Sequence, residues 1–208
     1  MDTDTVSVYE DLASQWVERR GDARDELAAR FRRQVGDGLI LDAGCGAGRY
    51  LAQFGPAVVG FDATAAMLRI ARRWERPLVR GDLELLPFAS SSLAAIFARH
   101  SYLHLPKARL PGALAEAARV LRPGGLLMAS MIKGDYEGRS LPDDDFPGRW
   151  FSLWTEEELT RAFASAGFTD LTVERLERAY GAVDLLVTGV SLGRTRRRVA
   201  GEDSPVSS

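Results

Sequence analysis

Three glycines at alternate positions follow a short apolar run that ends in an aspartate. The segment Asp42-Ala43-Gly44-Cys45-Gly46-Ala47-Gly48-Arg49 has glycine at positions 44, 46 and 48. Glycine lets bare backbone approach a ligand, and a strand that turns into a helix presents unpaired N–H groups at that point. A dinucleotide fingerprint needs its third glycine at position 49, which is arginine here. The spacing therefore favours a loop for a nucleoside without a pyrophosphate, with a simple tight turn as the alternative.

Aspartates recur where later apolar runs end. Asp62 lies eighteen residues after Gly44, where a carboxylate can accept hydrogen bonds from both ribose hydroxyls. Asp82 follows Gly81, where it could accept from an adenine amine while the Leu83 amide donates to the ring. The alternatives are a helix cap for Asp62 and an ordinary turn aspartate for Asp82. Several acidic strand ends beside one glycine loop favour a ligand site.

The elements that must position these residues alternate between strands and helices. An apolar stripe at Val8, Leu12 and Trp16 predicts a first helix over 8–19, starting near Thr5 or Ser7. Further helices are predicted over 22–33, after the glycine loop, after a capping Thr64, over 110–121 and over 155–167, the last with a capping box. Strands are predicted at 38–43, 57–62, 78–79, 93–98, 126–132, 171–173 and 183–190, the last two as an antiparallel hairpin. This alternation predicts an α/β fold whose ligand lies at the carboxyl ends of parallel strands.

Two segments lie outside this pattern. Residues 133–154 are polar, contain glycines, prolines and three consecutive aspartates, and end in aromatic residues, so they predict a lid that covers a pocket. Residues 194–208 are a basic cluster followed by a polar tail, for which we expect disorder. The sequence thus predicts one domain over 1–193, with N-terminal helices at 5–34 and a core at 38–190.

Composition and charge restrict the class of protein. The 208 residues are 46% apolar and 27% charged, with 27 basic and 29 acidic residues, which is typical of one globular domain. The single cysteine, Cys45, excludes an internal disulfide and a site built on several thiolates. An acidic start without a signal-peptide pattern, and apolar runs much shorter than about 20 residues, predict a cytoplasmic protein outside the membrane.

Four sequence blocks together resemble class I S-adenosylmethionine-dependent methyltransferases: residues 40–49, 59–62, 81–88 and 119–125. The resemblance covers roughly residues 8–190. It implies a Rossmann-like sheet of seven mostly parallel strands with helices on both faces and an antiparallel edge hairpin, and S-adenosyl-L-methionine as the cofactor. The cofactor-binding residues that it implies are Tyr9, Trp16, Asp42, Gly44, Cys45, Gly46, Asp62, Ala63, Met67, Gly81, Asp82, Leu83, Ala98 and Arg99. For Tyr9 and Trp16, ordinary helix packing is an equal alternative.

The residues after the fourth strand are candidates for the acceptor side. Methyl transfer needs two oriented reactants without water and no metal ion, but an acidic acceptor benefits from a base. His100 is the candidate base, Arg99 a candidate anchor for an anionic substrate and Tyr102 a candidate wall, whereas packing is expected for His104. Trp150 and Trp154 could cover the substrate or pack the 133–154 segment onto the sheet. No histidine, cysteine or carboxylate spacing predicts a metal site.

Four functions remain in view at this point. A methyltransferase for a small molecule leads, because the chain has no appended domain to hold a macromolecule. An RNA methyltransferase is the second, since Arg194, Arg196, Arg197 and Arg198 could bind phosphate. A non-catalytic protein that binds the cofactor is the third. A dinucleotide-dependent oxidoreductase is the weakest, because the third glycine is misplaced.

Overall fold

The computed structural model of the chain describes residues 1–20, 26–142, 144–177 and 182–193. Its main sheet contains seven strands: β1 (Ile40–Ala43), β2 (Val58–Asp62), β3 (Leu78–Arg80), β4 (Leu93–Arg99), β5 (Leu121–Ile132), β8 (Phe168–Glu177) and β9 (Val183–Ser191). Their order across the sheet is β3-β2-β1-β4-β5-β9-β8. Strand β9 runs antiparallel to both of its neighbours, and the pairs among the other strands are parallel. The predicted fold class, including the antiparallel hairpin of β8 and β9, is confirmed.

The central strands are buried because alternate side chains enter two separate cores. In β4, Ile96 and Ala98 join the core beneath α4 (Leu110–Val120) and α5 (Glu156–Ser165). Ala95 and Phe97 point into the core beneath α2 (Glu26–Val35). An apolar run without alternation therefore marks a strand that is covered on both faces.

Two further helices lie close to the carboxyl ends of the strands. Helix α1 (Thr3–Arg20) begins earlier than predicted, because the Asp2 carboxylate accepts hydrogen bonds from the backbone N–H and the hydroxyl of Thr5. It packs against α3 (Ala65–Ala71) through a small cluster that includes Ala13 and Met67. At α5 the predicted capping box between Thr155 and Glu158 is present.

Local structure departs from the sequence-based expectations at three places. The stretch from 46 to 54 forms successive turns instead of a helix, since Gly46 and Gly48 adopt positive φ angles of 52° and 78° that interrupt helical geometry. Thr64 stands at the N-cap of α3, but its side chain makes no capping hydrogen bond. The 133–154 segment is more regular than a loop, because β6 (Tyr136–Arg139) pairs with the antiparallel β7 (Trp150–Leu153). We call β6, β7 and the residues between them the β6–β7 arm.

Within the described ranges, no helix is both long enough and apolar enough to cross a lipid bilayer. The predicted tail and its arginine cluster, residues 194–208, lie outside the described residues.

Candidate functional site

A cavity of about 660 Å³ opens at the carboxyl ends of β1, β2 and β4. Strand β1 lies between β2 and β4. The chain builds β2 and β3 on one side of β1 and then places β4 and β5 on the other side. In open parallel sheets such a switch point is the usual place for a ligand. The cavity is lined from the glycine loop, α1, α3, the end of β4 and the β6–β7 arm.

The glycine loop is fixed to β2 at its start. The backbone N–H groups of Gly44 and Cys45 both donate to the carbonyl of Phe61, at 2.7 and 3.0 Å. A Cβ atom at Gly44 would lie 2.3 Å from the Cβ of Ser101, so this position requires glycine. At Gly46, in contrast, the space where a Cβ would point is open. The loop therefore presents bare backbone at the cavity.

Asp62 joins this loop to the start of α3. Its Oδ2 accepts from the Gly46 N–H at 2.9 Å, and its Oδ1 accepts from the Thr64 N–H at 2.8 Å. Burial raises the pKa of Asp62, although these hydrogen bonds act in the opposite direction. The Thr64 side chain also hydrogen-bonds to Asp62, and a carboxylate, with about four acceptor positions, keeps room for a further donor. The two alternatives for Asp62 are thus compatible, because one carboxylate stabilises the loop and still borders the cavity.

Asp42 lies behind the loop, outside the cavity lining. Its side chain is almost fully buried, and its Oδ2 has no hydrogen-bond partner among the described residues. Burial, together with the nearby charge of Asp62, raises the pKa of Asp42 to about 8. Burial disfavours the charged form of a carboxyl, and a nearby negative charge disfavours it further, so Asp42 favours its neutral form.

The predicted adenine residues do not line the cavity. Leu83 is in the core, and Asp82 accepts from the amino group of Met1 and from the backbone N–H of Glu84. Although burial acts to raise it, these hydrogen bonds hold the pKa of Asp82 below its ordinary value. Met1 itself borders the cavity.

Helix α1 covers the loop and is held to α3 by one carboxylate. Both oxygens of Glu10 accept from the backbone N–H of Ala66, at 3.1 and 3.2 Å, in the first turn of α3. Tyr9 and Trp16 both line the cavity, and the guanidinium of Arg49 lies 5.8 Å from the Trp16 ring. The structure therefore brings both predicted aromatic residues of α1 to the site.

A buried hydrogen-bond network, not predicted from the sequence, connects α1 to the β6–β7 arm. His104 Nδ1 lies 2.6 Å from the carbonyl of Trp150, so this nitrogen carries the proton and donates it. Nε2 then accepts from the Tyr9 hydroxyl at 3.0 Å, and that hydroxyl accepts from Arg149 Nη1 at 2.7 Å. Burial, opposed only in part by the bond to Trp150, lowers the pKa of His104 to about 3. His104 is therefore a neutral residue that joins α1 to the β6–β7 arm.

Arg149 is a buried cation beside the cavity. Its side chain is 7% exposed and forms an ion pair with Asp144. The guanidinium also lies 5.0 to 5.5 Å from the ring centroids of Tyr9, Phe146 and Phe151. The carboxylate and the ring faces compensate much of the cost of burying this charge.

His100 stands at the end of β4 with a positive φ of 54°. Its backbone N–H donates to Ser130 Oγ at 2.9 Å, and its Nε2 lies 2.8 Å from Oδ2 of the buried Asp184. Arg99 Nη1 is 3.9 Å from the same carboxylate oxygen. Both His100 and Arg99 line the cavity, as expected for an acceptor site.

The other candidates divide between the cavity and the core. Tyr102 is fully buried in the core, and the Trp154 side chain is also buried there, so neither forms the cavity wall. Trp150 does not line the cavity, but its carbonyl and its backbone N–H are hydrogen-bonded to the lining residues His104 and Thr5. The predicted cofactor residues that line the cavity are Tyr9, Trp16, Gly44, Cys45, Gly46, Asp62, Ala63, Met67 and Arg99; those that do not are Asp42, Gly81, Asp82, Leu83 and Ala98.

Sequence reasoning missed several lining residues, including Thr5, His104, Asp144 and Arg149. The only signal for Asp144 and Arg149 was their position in a charged segment rich in aromatic residues. In the part of the chain that the structure describes, no three His, Cys, Asp or Glu side chains are grouped to hold a metal ion.

Comparison with known proteins agrees with the fold. A family model described as a methyltransferase domain matches residues 41–129. The chain is 32% identical over 123 residues to a malonyl-[acyl-carrier protein] O-methyltransferase of Serratia marcescens, which covers 51% of this chain and 48% of that protein. It is 30% identical over 163 residues to a probable tRNA methyltransferase 9B of Mus musculus. That match covers 77% of this chain and 36% of the mouse protein. The chain thus spans half or less of these relatives.

Among solved structures, a 1,6-didemethyltoxoflavin-N1-methyltransferase of Burkholderia thailandensis has a TM-score of 0.69. It is 24% identical, and the match covers 91% of this chain and 86% of that one. That structure contains 1,6-didemethyltoxoflavin and S-adenosylhomocysteine. At this identity the likeness establishes the fold.

Proposed function

This chain belongs to the class I S-adenosylmethionine-dependent methyltransferases, and we propose that it transfers a methyl group from S-adenosyl-L-methionine to a small-molecule acceptor. The observation that carries the proposal is the cavity at the carboxyl ends of β1, β2 and β4. It joins bare loop backbone and Asp62 to a chamber that contains Arg99 and His100. One enclosure thus borders both the residues suited to the cofactor and those suited to an acceptor.

The described residues fit the cofactor at the loop. Gly44 to Gly46 would bring backbone against it, Asp62 would accept from the ribose hydroxyls, and Tyr9 and Trp16 would cover it. The open space beside Gly46 and the remaining lone pairs of Asp62 support this assignment. When bound, the cofactor supplies a methyl group on a positively charged sulfur; the acceptor forms its bond to the methyl carbon as the methyl–sulfur bond breaks and leaves its electrons on sulfur.

The contribution of the chain to this reaction is orientation, exclusion of water and removal of a proton. Arg99 would hold an anionic group of the acceptor, and His100 would take the proton that a hydroxyl or amine releases. His104 is unsuited to that task, because burial keeps it neutral and both of its ring nitrogens are occupied in hydrogen bonds. Catalysis by His100 therefore depends on its environment at the end of β4.

A small acceptor agrees with the way in which the cavity is covered. Helix α1 and the β6–β7 arm are joined by the Thr5 hydroxyl, which accepts from the Trp150 N–H at 2.7 Å, and by the ion pair between Asp2 and Arg139. These contacts hold α1 and the β6–β7 arm together over the part of the cavity that would receive the acceptor. The similarity to a probable tRNA methyltransferase supports RNA as the second candidate acceptor.

Calorimetry with S-adenosylmethionine, S-adenosylhomocysteine and NAD tests the cofactor assignment. We expect binding of the first two ligands and none of NAD; the reverse pattern would refute the assignment. Release of S-adenosylhomocysteine in the presence of phenols, carboxylic acids, amines or unmodified tRNA then identifies the acceptor class. RNA binding that weakens steeply with added salt would favour the second candidate. Cofactor binding without turnover of any acceptor would indicate a non-catalytic binding protein.

The cytoplasmic location expected from the sequence is part of this proposal. Fractionation of cells that express the tagged chain tests it, and recovery of the chain with membranes would contradict it.

A further inference from the structure

Asp144 lies in the β6–β7 arm, and one of its carboxylate oxygens has no donor. The residue lines the cavity, and its side chain is 4% exposed. Its Oδ1 accepts from Nη2 of Arg149 and from the backbone N–H of Phe146, the latter at 3.2 Å. Its Oδ2 is buried and has no hydrogen-bond partner among the described residues. A buried acceptor is costly unless a donor reaches it, so Oδ2 is suited to a donor that a ligand supplies.

Arg149 fixes this carboxylate but binds only one of its oxygens. Its Nη2 donates to Oδ1, whereas its Nη1 donates to the Tyr9 hydroxyl at 2.7 Å and its Nε to the Phe146 carbonyl at 3.1 Å. In a bidentate pair, by contrast, both carboxylate oxygens would be occupied by the guanidinium. Asp144 is therefore held in place at the cavity with one oxygen that lacks a donor.

The charges around Asp144 favour a neutral donor over a cation. Arg149 forms an ion pair with it, and Arg19 and Arg20 lie 3.6 and 3.7 Å from the carboxylate of Asp145. Three guanidinium groups thus lie beside two carboxylates in this part of the arm. A cationic ligand would add to this excess of positive charge, whereas a neutral hydroxyl or N–H group would not.

The same part of the cavity has apolar walls. On the side of the arm and of the end of β5, its lining includes Leu103, Ile132, Leu141, Pro142 and Phe151. A polar group that a ligand buries among such residues is costly unless it finds a partner. A site that binds a hydroxyl or N–H group also rejects an analogue without that donor much more strongly than an apolar pocket rejects a missing methylene. One unpaired oxygen in apolar surroundings can therefore determine specificity.

We propose that Asp144 is a specificity-determining residue, whose Oδ2 accepts a hydrogen bond from a neutral hydroxyl or N–H group of the acceptor. This inference rests on the proposed function and deepens it, because it restricts the acceptor to molecules that carry such a donor in addition to the atom that is methylated. Since Oδ2 is covered in the ligand-free chain, the arm shifts beside Asp144 when the donor binds.

Two pairs of small planar probes test this without a known acceptor. Phenol and indole each carry one donor, and anisole and 1-methylindole are the same molecules with the donor hydrogen replaced by a methyl group. The protein is first saturated with S-adenosylhomocysteine, so that the probes meet only the acceptor part of the cavity. In ligand-observed NMR titrations, phenol and indole should bind about tenfold or more tightly than their methylated partners, as expected for a hydrogen bond to a charged acceptor.

Asp144→Asn should abolish this preference. The amide oxygen must take the place of Oδ1, which accepts from Arg149 and Phe146, so the NH2 group stands where Oδ2 was. A donor then replaces an acceptor, and anisole should bind at least as tightly as phenol. Asp145→Asn removes the same charge from the next residue; it is the matched control and should keep the wild-type preference.

Three outcomes would overturn the proposal. The first is equal binding of both members of each pair by the wild-type protein, which decides the matter even if Asp144→Asn does not fold. The second is a folded Asp144→Asn that keeps the wild-type preference, and the third is a complex with S-adenosylhomocysteine that binds neither phenol nor indole. Failure to bind S-adenosylhomocysteine would refute the proposed function instead, and the same probe pairs would then test Asp144 in the ligand-free protein.

Turnover gives a second readout once an acceptor is found. Asp144→Asn should lower kcat/KM for that acceptor about tenfold to about a hundredfold and leave the KM for S-adenosylmethionine unchanged. A purely structural role would lower the amount of active protein, and the ratio of kcat/KM between the acceptor and an analogue without the second donor would stay as in the wild-type protein.

Discussion

Replacing His104 by glutamine should remove part of the acid sensitivity of folding. His104 is 5% exposed and neutral, and it connects Tyr9 to the Trp150 carbonyl. The unfolded chain exposes the ring and protonates it near its ordinary pKa of 6.5, whereas burial lowers the pKa in the folded protein to about 3. The unfolded state thus binds more protons, and folding loses stability as the pH falls below 6.5. Glutamine can donate to the carbonyl and accept from the hydroxyl, but it does not titrate.

The size of the effect follows from these two values. At about pH 5 the ring in the folded protein is still neutral. In the unfolded chain this pH is about 1.5 units below the pKa of the ring, so the ring is protonated there. Each unit corresponds to about 1.4 kcal/mol, so His104 alone should lower the free energy of unfolding by about 2 kcal/mol relative to about pH 7.5. The ring is buried, so solvent screening reduces this figure little.

Urea unfolding at the two pH values measures it. The loss of stability between about pH 7.5 and about pH 5 should be about 2 kcal/mol smaller in His104→Gln than in the wild-type protein. His100→Gln, which alters a partly exposed ring, leaves the contribution of His104 in place, so His104→Gln should reduce the loss by the same amount in the wild-type and in the His100→Gln background. Equal losses in the wild-type protein and in His104→Gln would show that His104 is not buried and neutral in solution.

Three further predictions concern the glycine loop, the buried Asp42, and the contact between α1 and the β6–β7 arm. Asp62→Ala should weaken binding of S-adenosylhomocysteine by about 1.5 to 3 kcal/mol in calorimetry, as expected for hydrogen bonds to a charged acceptor, whereas the exposed Asp37→Ala should bind normally; normal binding by Asp62→Ala would leave Asp62 a helix-terminus residue only. Asp42→Asn should remove a loss of stability that the wild-type protein shows as the pH rises from about 4 to about 8, since the folded pKa of Asp42 lies above its unfolded value; the difference between the two proteins should change by about 4 to 5 kcal/mol over that range, and parallel curves would contradict the burial of Asp42. Thr5→Val should raise the rate of hydrogen exchange at the Trp150 amide about fivefold or more in the ligand-free protein, because one hydrogen bond is lost. Ser7→Ala on the same helix should leave that rate unchanged. An unchanged rate in Thr5→Val would mean that α1 does not hold the β6–β7 arm.

The sheet and the loop were predictable because their signals are local. An uninterrupted apolar run such as 93–98 can be buried only between two layers, and glycine at position 44 is required by a contact that any side chain would violate. The position of Asp62 beside the cavity was predictable from its place at the end of β2. The predicted helix over residues 46–54 failed for an equally local reason, since two positive φ angles outweigh the general preference for a helix at that point.

The rest of the site depends on contacts between distant parts of the chain. The Tyr9 hydroxyl meets Arg149 across 140 residues of sequence and His104 across 95. No periodicity or motif predicts such pairs, and residue type is ambiguous as well. Tyr102 and Trp154 could face either the core or the cavity from where they stand, and packing places both in the core.

The two histidines show why the role of a residue comes from its surroundings. His100 and His104 are four positions apart at the same end of β4, and by type either could serve as a base. His104 has both nitrogens engaged and is almost fully buried, so a proton there would be an uncompensated charge next to Arg149. His100 instead has a buried carboxylate at Nε2 and an accessible ring. A carboxylate beside a histidine favours its protonated form and a guanidinium opposes it, so of the two histidines His100 has the surroundings better suited to the base that we propose, whereas His104 joins α1 to the β6–β7 arm.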